Sequence, residues 1–202
     1  MFNLIRRDVI LQKWQIIIFI PVILFFIIFG SHDPAFIFVL ASVFIPFNTF
    51  YYDEKTESNI LLNSLPYTRS EIIASRYLGA IIYMALSIGV ASLGMYVFNK
   101  PFTTGDIALG AGLFLVFAAL TFPLFQILKP GYITTVVLIT FIVLSILSGY
   151  IVSFINEHLT AFMDFIASLA VPILYMGAVV VVMTIYAISW GVTTIIYERK
   201  AF

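Results

Sequence analysis

The sequence predicts an all-α integral membrane protein with six transmembrane helices, and three observations lead to this fold class. Of its 202 residues, 62% are hydrophobic and only 10% are charged, whereas soluble domains carry about 25% charged residues. The ten basic and ten acidic residues cancel, so the chain lacks the net charge that keeps an apolar surface soluble. The charged residues also form clusters, and the uncharged stretches between them are long enough to cross a bilayer. This composition excludes a soluble enzyme, a disordered tail and a nucleic-acid binder with a basic face.

The uncharged stretches define six predicted spans. They cover residues 15–31, 34–52, 77–97, 107–127, 132–154 and 172–196. Each is expected to be a helix, because the hydrocarbon offers the backbone no hydrogen-bond partner. Residues 16–20, which are all Ile or Phe, lack the alternation of a barrel strand. We expect the whole chain, residues 1–202, to form a single transmembrane domain.

The basic residues predict the orientation of the chain. Six spans place both termini on one side of the membrane, and that side carries every Lys and Arg except Lys100. The excess of positive charge assigns this side, with both termini, to the cytoplasm. On the outer side, residues 155–171 contain too few apolar residues to cross and too many for a free loop. We expect this stretch to be a segment half-inserted in the outer leaflet.

The sequence shows no catalytic, metal-binding or nucleotide-binding constellation. The predicted spans contain no ionisable Asp, Glu, Lys, Arg or His, and there is no cysteine, which excludes a thiolate nucleophile and a Cys-ligated zinc. Glu157, His158 and Asp164 have irregular spacing, so a solvated loop is favoured over a metal site. The phosphate-cradling Gly-x-x-x-x-Gly-Lys-Ser/Thr motif is absent. We therefore expect no catalytic residue, metal or cofactor site in this chain, and no enzymatic activity of its own.

The second predicted span carries aromatic residues on one face. Phe44, Phe47 and Tyr51 follow one another at three- and four-residue steps, which brings them to one side of a helix. They are candidates to line a passage for an apolar substrate. Aromatic residues that face lipid or pack between helices explain the pattern more simply.

The predicted cytoplasmic loop between the second and third spans, residues 53–76, is the most informative segment. Its polar start leads to Ser58, a candidate cap for a short apolar helix that Pro66 ends. Thr68 and Glu71 then have the spacing of a capping box. They predict a second short helix that leads to the third span at Tyr77. The leucines of the first helix need cover from lipid headgroups or from a partner protein.

This loop resembles the inner loop of one subgroup of exporter-type (type-2) ABC transporter permeases. The resemblance is carried by Leu61-Leu62-Asn63-Ser64-Leu65-Pro66-Tyr67-Thr68-Arg69-Ser70-Glu71-Ile72-Ile73, followed by Ser75-Arg76-Tyr77-Leu78 and preceded by Asp53-Glu54-Lys55. The opening Asn3-Leu4-Ile5-Arg6-Arg7-Asp8 is similar to an N-terminal helix that lies along the inner membrane face in that family. The six spans and the outer half-inserted segment match its layout.

The resemblance implies a half-transporter in a bacterial plasma membrane. Two permeases, identical or related, would pair around a central route, and separate ATPase subunits that bind ATP and Mg would dock beneath them. The loop would be the coupling element that contacts the ATPase. Its contact residues would be Leu61, Leu62, Asn63, Ser64, Leu65, Pro66, Tyr67, Thr68, Arg69 and Glu71. Arg69 and Glu71 would be either polar contacts or only the cap and its neighbour.

The resemblance also implies an exported cargo, since some members of the subgroup export amphipathic or antimicrobial peptides. Two other functions compete with this one. The first is an immunity or binding protein that sequesters a membrane-active peptide without energy. The second is a membrane enzyme acting on lipid, which the lack of a catalytic constellation disfavours.

Overall fold

A computed structural model shows how the helices pack. It describes Arg7, Ile10 and residues 13–30, 32–55, 67–127, 132–159 and 168–199. Every regular element in these ranges is an α-helix, which confirms the predicted all-α class. The helices are α1 (Lys13–Phe29), α2 (Pro34–Lys55), α3 (Arg69–Val97), α4 (Thr104–Ile127), α5 (Ile133–His158) and α6 (Val171–Arg199).

Four of these helices, α3 to α6, are long and apolar enough to cross a membrane. The first two predicted spans coincide with α1 and α2. The apolar stretches described there, Ile17–Phe29 and Pro34–Thr49, are shorter than the about 20 residues of a full crossing. The multi-pass character of the chain is therefore established, and the number of six crossings stays a prediction.

Two helices extend past the bounds of the predicted spans. Helix α3 begins at Arg69, eight residues before the predicted third span, so the second short helix predicted in the inner loop is continuous with the helix of that span. Helix α5 continues to His158 and includes the start of the predicted outer half-inserted segment. In both places the chain carries no proline that would end the helix. Residues 160–167 of that segment lie outside the described residues, as do the N-terminal helix apart from Arg7 and the predicted short helix over residues 58–66.

Helix α4 lies at the centre of the described bundle. It packs against α2, α3, α5 and α6, while α1 packs against α2 and α3. One apolar cluster joins α3, α4 and α6 around Tyr77, Phe122 and Tyr186. A second cluster joins α1, α2 and α3 around Phe19, Phe38 and Ala91.

Helices α5 and α6 are much more exposed than α4. Only 6% of the apolar window of α5, Thr135–Phe154, is buried within the chain, against 44% for α4. The buried residues of α6 all lie in its last half, at Tyr186, Ser189, Thr193 and Tyr197. The first half of α6 and nearly all of α5 therefore present apolar side chains to lipid or to another chain.

Local hydrogen bonds close the turn between α3 and α4. Asn99 adopts a positive φ of 53°, and the Lys100 amide donates to the Met95 carbonyl at 2.9 Å, as in a Schellman C-cap. At the start of α4, the Thr103 amide donates to Asp106 Oδ2 at 2.7 Å and the Asp106 amide donates to Thr103 Oγ1 at 3.2 Å. Thr103 and Asp106 thus form a capping box at the start of α4. The chain thus reverses within residues 98–103.

Gly110 allows α4 to lie directly on α2. A Cβ atom at this position would lie 2.5 Å from Phe38 Cβ and 3.2 Å from the Ala35 carbonyl oxygen. Small residues permit such close approach between membrane helices, where packing provides much of the association energy. Gly112, two residues further along α4, has no neighbouring atom within 4 Å of the same position.

These two glycines give a matched pair for testing the α2–α4 contact. Both substitutions, Gly110→Val and Gly112→Val, change helix propensity equally, but only the first forces a side chain into α2. We expect Gly110→Val to be less stable than Gly112→Val by about 1–3 kcal/mol, the usual cost of overpacking. Thermal unfolding of the two variants in detergent measures the difference. Equal stability would contradict the close approach.

Candidate functional site

The described part of the predicted coupling loop lies where α3 begins. We call the end of the bundle at which α2 ends and α3 begins the loop end. The other end of the bundle is called the opposite end. Tyr67 is partly buried against the cluster formed by α3, α4 and α6, and Thr68, Arg69 and Glu71 follow it into the helix. The six preceding predicted contact residues, Leu61, Leu62, Asn63, Ser64, Leu65 and Pro66, lie outside the described residues.

The predicted capping box at Thr68 and Glu71 is confirmed. The Glu71 amide donates to Thr68 Oγ1 at 3.2 Å, and the Thr68 amide donates to Glu71 Oε2 at 2.9 Å. The Thr68 hydroxyl also donates to Glu71 Oε2 at 3.0 Å. Because the bonds from the backbone amide and then the hydroxyl of Thr68 favour the charged carboxylate, they hold the pKa of Glu71 below its usual value of 4.5.

Arg69, the first residue of α3, connects that helix to the end of α6. Its Nη1 donates to the Glu198 carbonyl oxygen at 2.7 Å and lies 3.5 Å from the Tyr197 carbonyl oxygen. Carbonyls in the last turn of a helix have no partner within the helix, and a cation there also interacts favourably with the helix dipole. The Arg69 guanidinium therefore caps α6 from the start of α3, a contact that the sequence analysis did not predict.

Eight residues further along α3, Tyr77 makes a second connection to α6. Its buried hydroxyl oxygen lies 2.8 Å from Ser189 Oγ and 2.7 Å from Thr193 Oγ1. Ser189 donates its single hydroxyl proton to the Ala119 carbonyl of α4, so Tyr77 donates to Ser189 and in turn accepts from Thr193. The result is one directed chain of hydrogen bonds that runs through α6, α3, α6 and α4.

Aromatic rings surround this chain of hydroxyls. The Tyr77 ring stacks on Trp190 with centroids 5.7 Å apart and meets Phe122 and Tyr186 edge-on at 5.1 and 5.0 Å. The Tyr186 hydroxyl donates to the Tyr77 carbonyl at 2.9 Å. We call this group the Tyr77 cluster, and its members are Tyr77 of α3, Ala119 and Phe122 of α4, and Tyr186, Ser189, Trp190 and Thr193 of α6. It excludes lipid from the hydroxyls and joins three helices at the loop end.

Arg76 is buried, although the sequence analysis placed it in a cytoplasmic loop. Only 9% of its surface is exposed, because α3 already begins at Arg69 and carries Arg76 into the bundle. Its side chain lines a small cavity between α2 and α3, together with Pro46, Thr49 and Tyr83. This face of α3 therefore packs against α2 around a cavity of little more than the size of one water molecule.

The two described candidates for lining a passage contact helices of the same chain. The Phe44 ring lies 5.3 Å from that of Phe19 in α1, and the Phe47 ring lies 6.4 Å from that of Phe125 in α4. Phe47 also lines a narrow cavity between α2 and α4. The side chain of Tyr51 lies outside the described set. A role in lining a substrate route stays a prediction for all three residues.

The histidine considered as a metal ligand packs on its own helix. The His158 ring stacks on Phe154 with centroids 4.7 Å apart, and its Nδ1 lies 3.3 Å from the Phe154 carbonyl oxygen. Asp164 lies outside the described residues. Within the described ranges, no three His, Asp or Glu side chains form a group that could hold a metal ion.

The hydroxyl of Tyr77 should contribute measurably to stability. Tyr77→Phe leaves the rings in place but removes the link between Thr193 and Ser189, and hydrogen bonds between membrane helices contribute about 0.6–2 kcal/mol. We expect a loss in this range on unfolding in detergent. Tyr96→Phe, at a position 78% exposed on the same helix, is the control and should change nothing. Equal stability of the two variants would contradict the hydrogen-bonded chain.

The capping box predicts a pH-dependent contribution from Glu71. Its pKa is lowered in the folded state, so the charged carboxylate stabilises the fold above about pH 4.5, and this contribution is lost as the pH falls through the lowered value. Glu71→Gln should therefore be less stable than the unaltered chain near neutral pH, with the difference vanishing at lower pH. Glu157→Gln, at the exposed end of α5, is the control for charge. Unfolding curves of both variants and the unaltered chain, recorded from neutral pH to below pH 4.5, measure this difference in stability. A difference between Glu71→Gln and the unaltered chain that does not change with pH would contradict the role of the charged carboxylate.

The comparison with known families is consistent with this geometry. The family described as ABC-2 family transporter protein matches residues 3–198, which is nearly the whole chain. No curated protein and no solved structure matches it. The chain is thus a multi-pass membrane protein that belongs to the ABC-2 transporter family.

Proposed function

We propose that this chain is the transmembrane subunit of an ATP-driven exporter and that its inner loop receives the movement of a separate ATPase. Membership of the ABC-2 family makes it a permease subunit of an ABC transporter, which works with an ABC ATPase. The observation that carries the proposed role of the loop is the firm attachment of its exit. The capping box and the Arg69 bond to α6 leave no flexible joint between Tyr67 and the bundle.

The proposed division of labour assigns all nucleotide chemistry to the partner. The chain contains no Gly-Lys pair, so it has no phosphate-cradling loop of the usual kind. ATP and Mg would bind to the ATPase, and this chain would not be an enzyme. Nucleotide would act on the permease only by favouring one arrangement of its helices over another.

The exposure of α5 and of the first half of α6 supports pairing with a second permease. Nearly all of α5 is apolar and uncovered within the chain. A second copy or a paralogue would bury part of this surface, and the substrate route would run between the two chains. The absence of charged residues from the predicted spans supports a hydrophobic or amphipathic substrate, such as a peptide.

The proposed location follows from the distribution of basic residues, and the proposed outward direction follows from the resemblance of the inner loop to exporter-type permeases. The loop end carries most of the Lys and Arg residues, which supports placing it and both termini in the cytoplasm of a bacterium. The ATPase would dock at that end, and transport would run outward across the plasma membrane.

Replacing the leucines of the loop with aspartate tests the proposed docking role. In the reconstituted complex, we expect Leu62→Asp with Leu65→Asp to abolish substrate-dependent stimulation of ATP hydrolysis, because an apolar contact with the ATPase would then bury two charges. Leu159→Asp is the matched control, because Leu159 directly follows the last residue of α5 at the opposite end of the bundle. This variant should keep the stimulation.

The same experiment separates the exporter from the immunity protein. Unchanged stimulation in the double variant would remove the loop from the mechanism. Protection of cells against a membrane-active peptide that persists with an inactivated ATPase would instead indicate binding without energy.

A further inference from the structure

We propose that Arg69 and Tyr77 are positioning residues that transmit the movement of the inner loop to helix α6, an inference that rests on the proposed function. They attach α3 to α6 at two separate points, so that α3 and the second half of α6 move as one unit. Helix α6 then carries the loop's movement across the bundle to the opposite end.

The first attachment lies directly behind the loop. Arg69 follows the cap residue Thr68, and its Nη1 is bonded to the Glu198 carbonyl at 2.7 Å. Since the bond is charge-assisted and joins the first turn of α3 to the last turn of α6, a displacement of the loop's exit acts on both helices. The first turn of α3 and the last turn of α6 are thus in direct contact through Arg69.

The second attachment fixes the relative orientation of the two helices. Tyr77 lies eight residues, or about 12 Å along the helix axis, beyond Arg69. Its hydroxyl is bonded to Ser189 and Thr193, and its carbonyl accepts from Tyr186. One attachment alone would let α6 pivot against α3, whereas two attachments about 12 Å apart do not.

The other neighbour of this part of α3 is helix α2, which also packs against it. On the side of α2, the same turns of α3 face the cavity lined by Pro46, Thr49 and Arg76. We assign the transmission to α6 because its bonds to Arg69 and Tyr77 are directional and join fixed points of the two helices.

We expect such a movement to appear in the first half of α6, which meets α4 where Tyr175 lies against Gly105 and is otherwise the exposed half of the helix. Met176 is 69% exposed, and the buried residues of α6 begin only at Tyr186. Met176 lies 17 residues, or roughly 25 Å, from Thr193. A tilt of about 10° at the anchored half would thus displace Met176 by roughly 4 Å, at the end where the proposed substrate would leave.

Spin-label distances measure this displacement directly, because the chain has no cysteine of its own. One pair of labels, at Met176 and Leu113, reports the first half of α6 against the exposed face of α4. A second pair, at Ser70 and Arg199, reports the attachment at the loop end. Both are measured on the full chain in complex with its ATPase in lipid nanodiscs, without nucleotide and with ATP trapped by vanadate. Unlabelled chain dilutes the labels so that each distance lies within one copy.

In the unaltered chain we expect the Met176–Leu113 distance to change by several ångströms on trapping and the Ser70–Arg199 distance to stay constant. Tyr77→Phe should keep the bound ATPase and lose at least half of the Met176–Leu113 change. Arg69→Ala should have the same effect and broaden the Ser70–Arg199 distribution, which Arg69→Lys should partly restore. Arg199→Ala, measured only with the Met176–Leu113 pair, is the control for lost positive charge and should leave the change intact.

Three results would overturn the inference. A complex that forms normally and shows an undiminished Met176–Leu113 change in both Tyr77→Phe and Arg69→Ala would remove these residues from the transmission. The inference would also fail if the unaltered complex forms but its Met176–Leu113 distance does not change on trapping. That result would leave the proposed function intact. If instead no ATPase binds the unaltered chain, the proposed function itself fails, and this inference fails with it.

Discussion

A hydroxyl group inside a membrane protein must find its hydrogen-bond partner in the protein, because the hydrocarbon supplies none. In the Tyr77 cluster the requirement is met by a series in which Thr193 donates to Tyr77, Tyr77 to Ser189, and Ser189 to the carbonyl of Ala119. Breaking any one of these bonds would leave a polar group unsatisfied in an apolar setting. The series thereby links α3, α4 and α6 at one level of the bundle, and the position of the loop's exit depends on it.

The packing of the bundle is uneven along its length, and the unevenness has a functional consequence. The loop end is closed by the Tyr77 cluster and by Arg69, while α5 and the first half of α6 are largely uncovered. A firm end suits the receipt of a displacement, since no part of it is absorbed by loose joints. An uncovered end suits contact with a second chain and a route that opens and closes. The proposed exporter needs both properties in one subunit.

The sequence alone predicted what depends on local spacing. The helices follow from the uncharged stretches, and the capping box follows from the three-residue step between Thr68 and Glu71. The bond from Arg69 to α6 was missed because its partners lie 129 residues away, and local patterns do not say which helices are neighbours. The Tyr77 cluster had a signal in the sequence, since Tyr186, Ser189 and Thr193 form a polar stripe along one face of α6. Such a stripe shows that a partner exists but not that Tyr77 is the partner.

The central claim is that a separate ATPase acts on this permease through the loop that precedes α3. Labelling of a single cysteine introduced as Leu65→Cys tests it most directly, because the rest of the chain has no thiol. A membrane-impermeant maleimide should label this cysteine in inside-out vesicles and not in intact cells, and bound ATPase should protect it. Labelling from outside the cell, or equal labelling with and without the ATPase, would contradict the account.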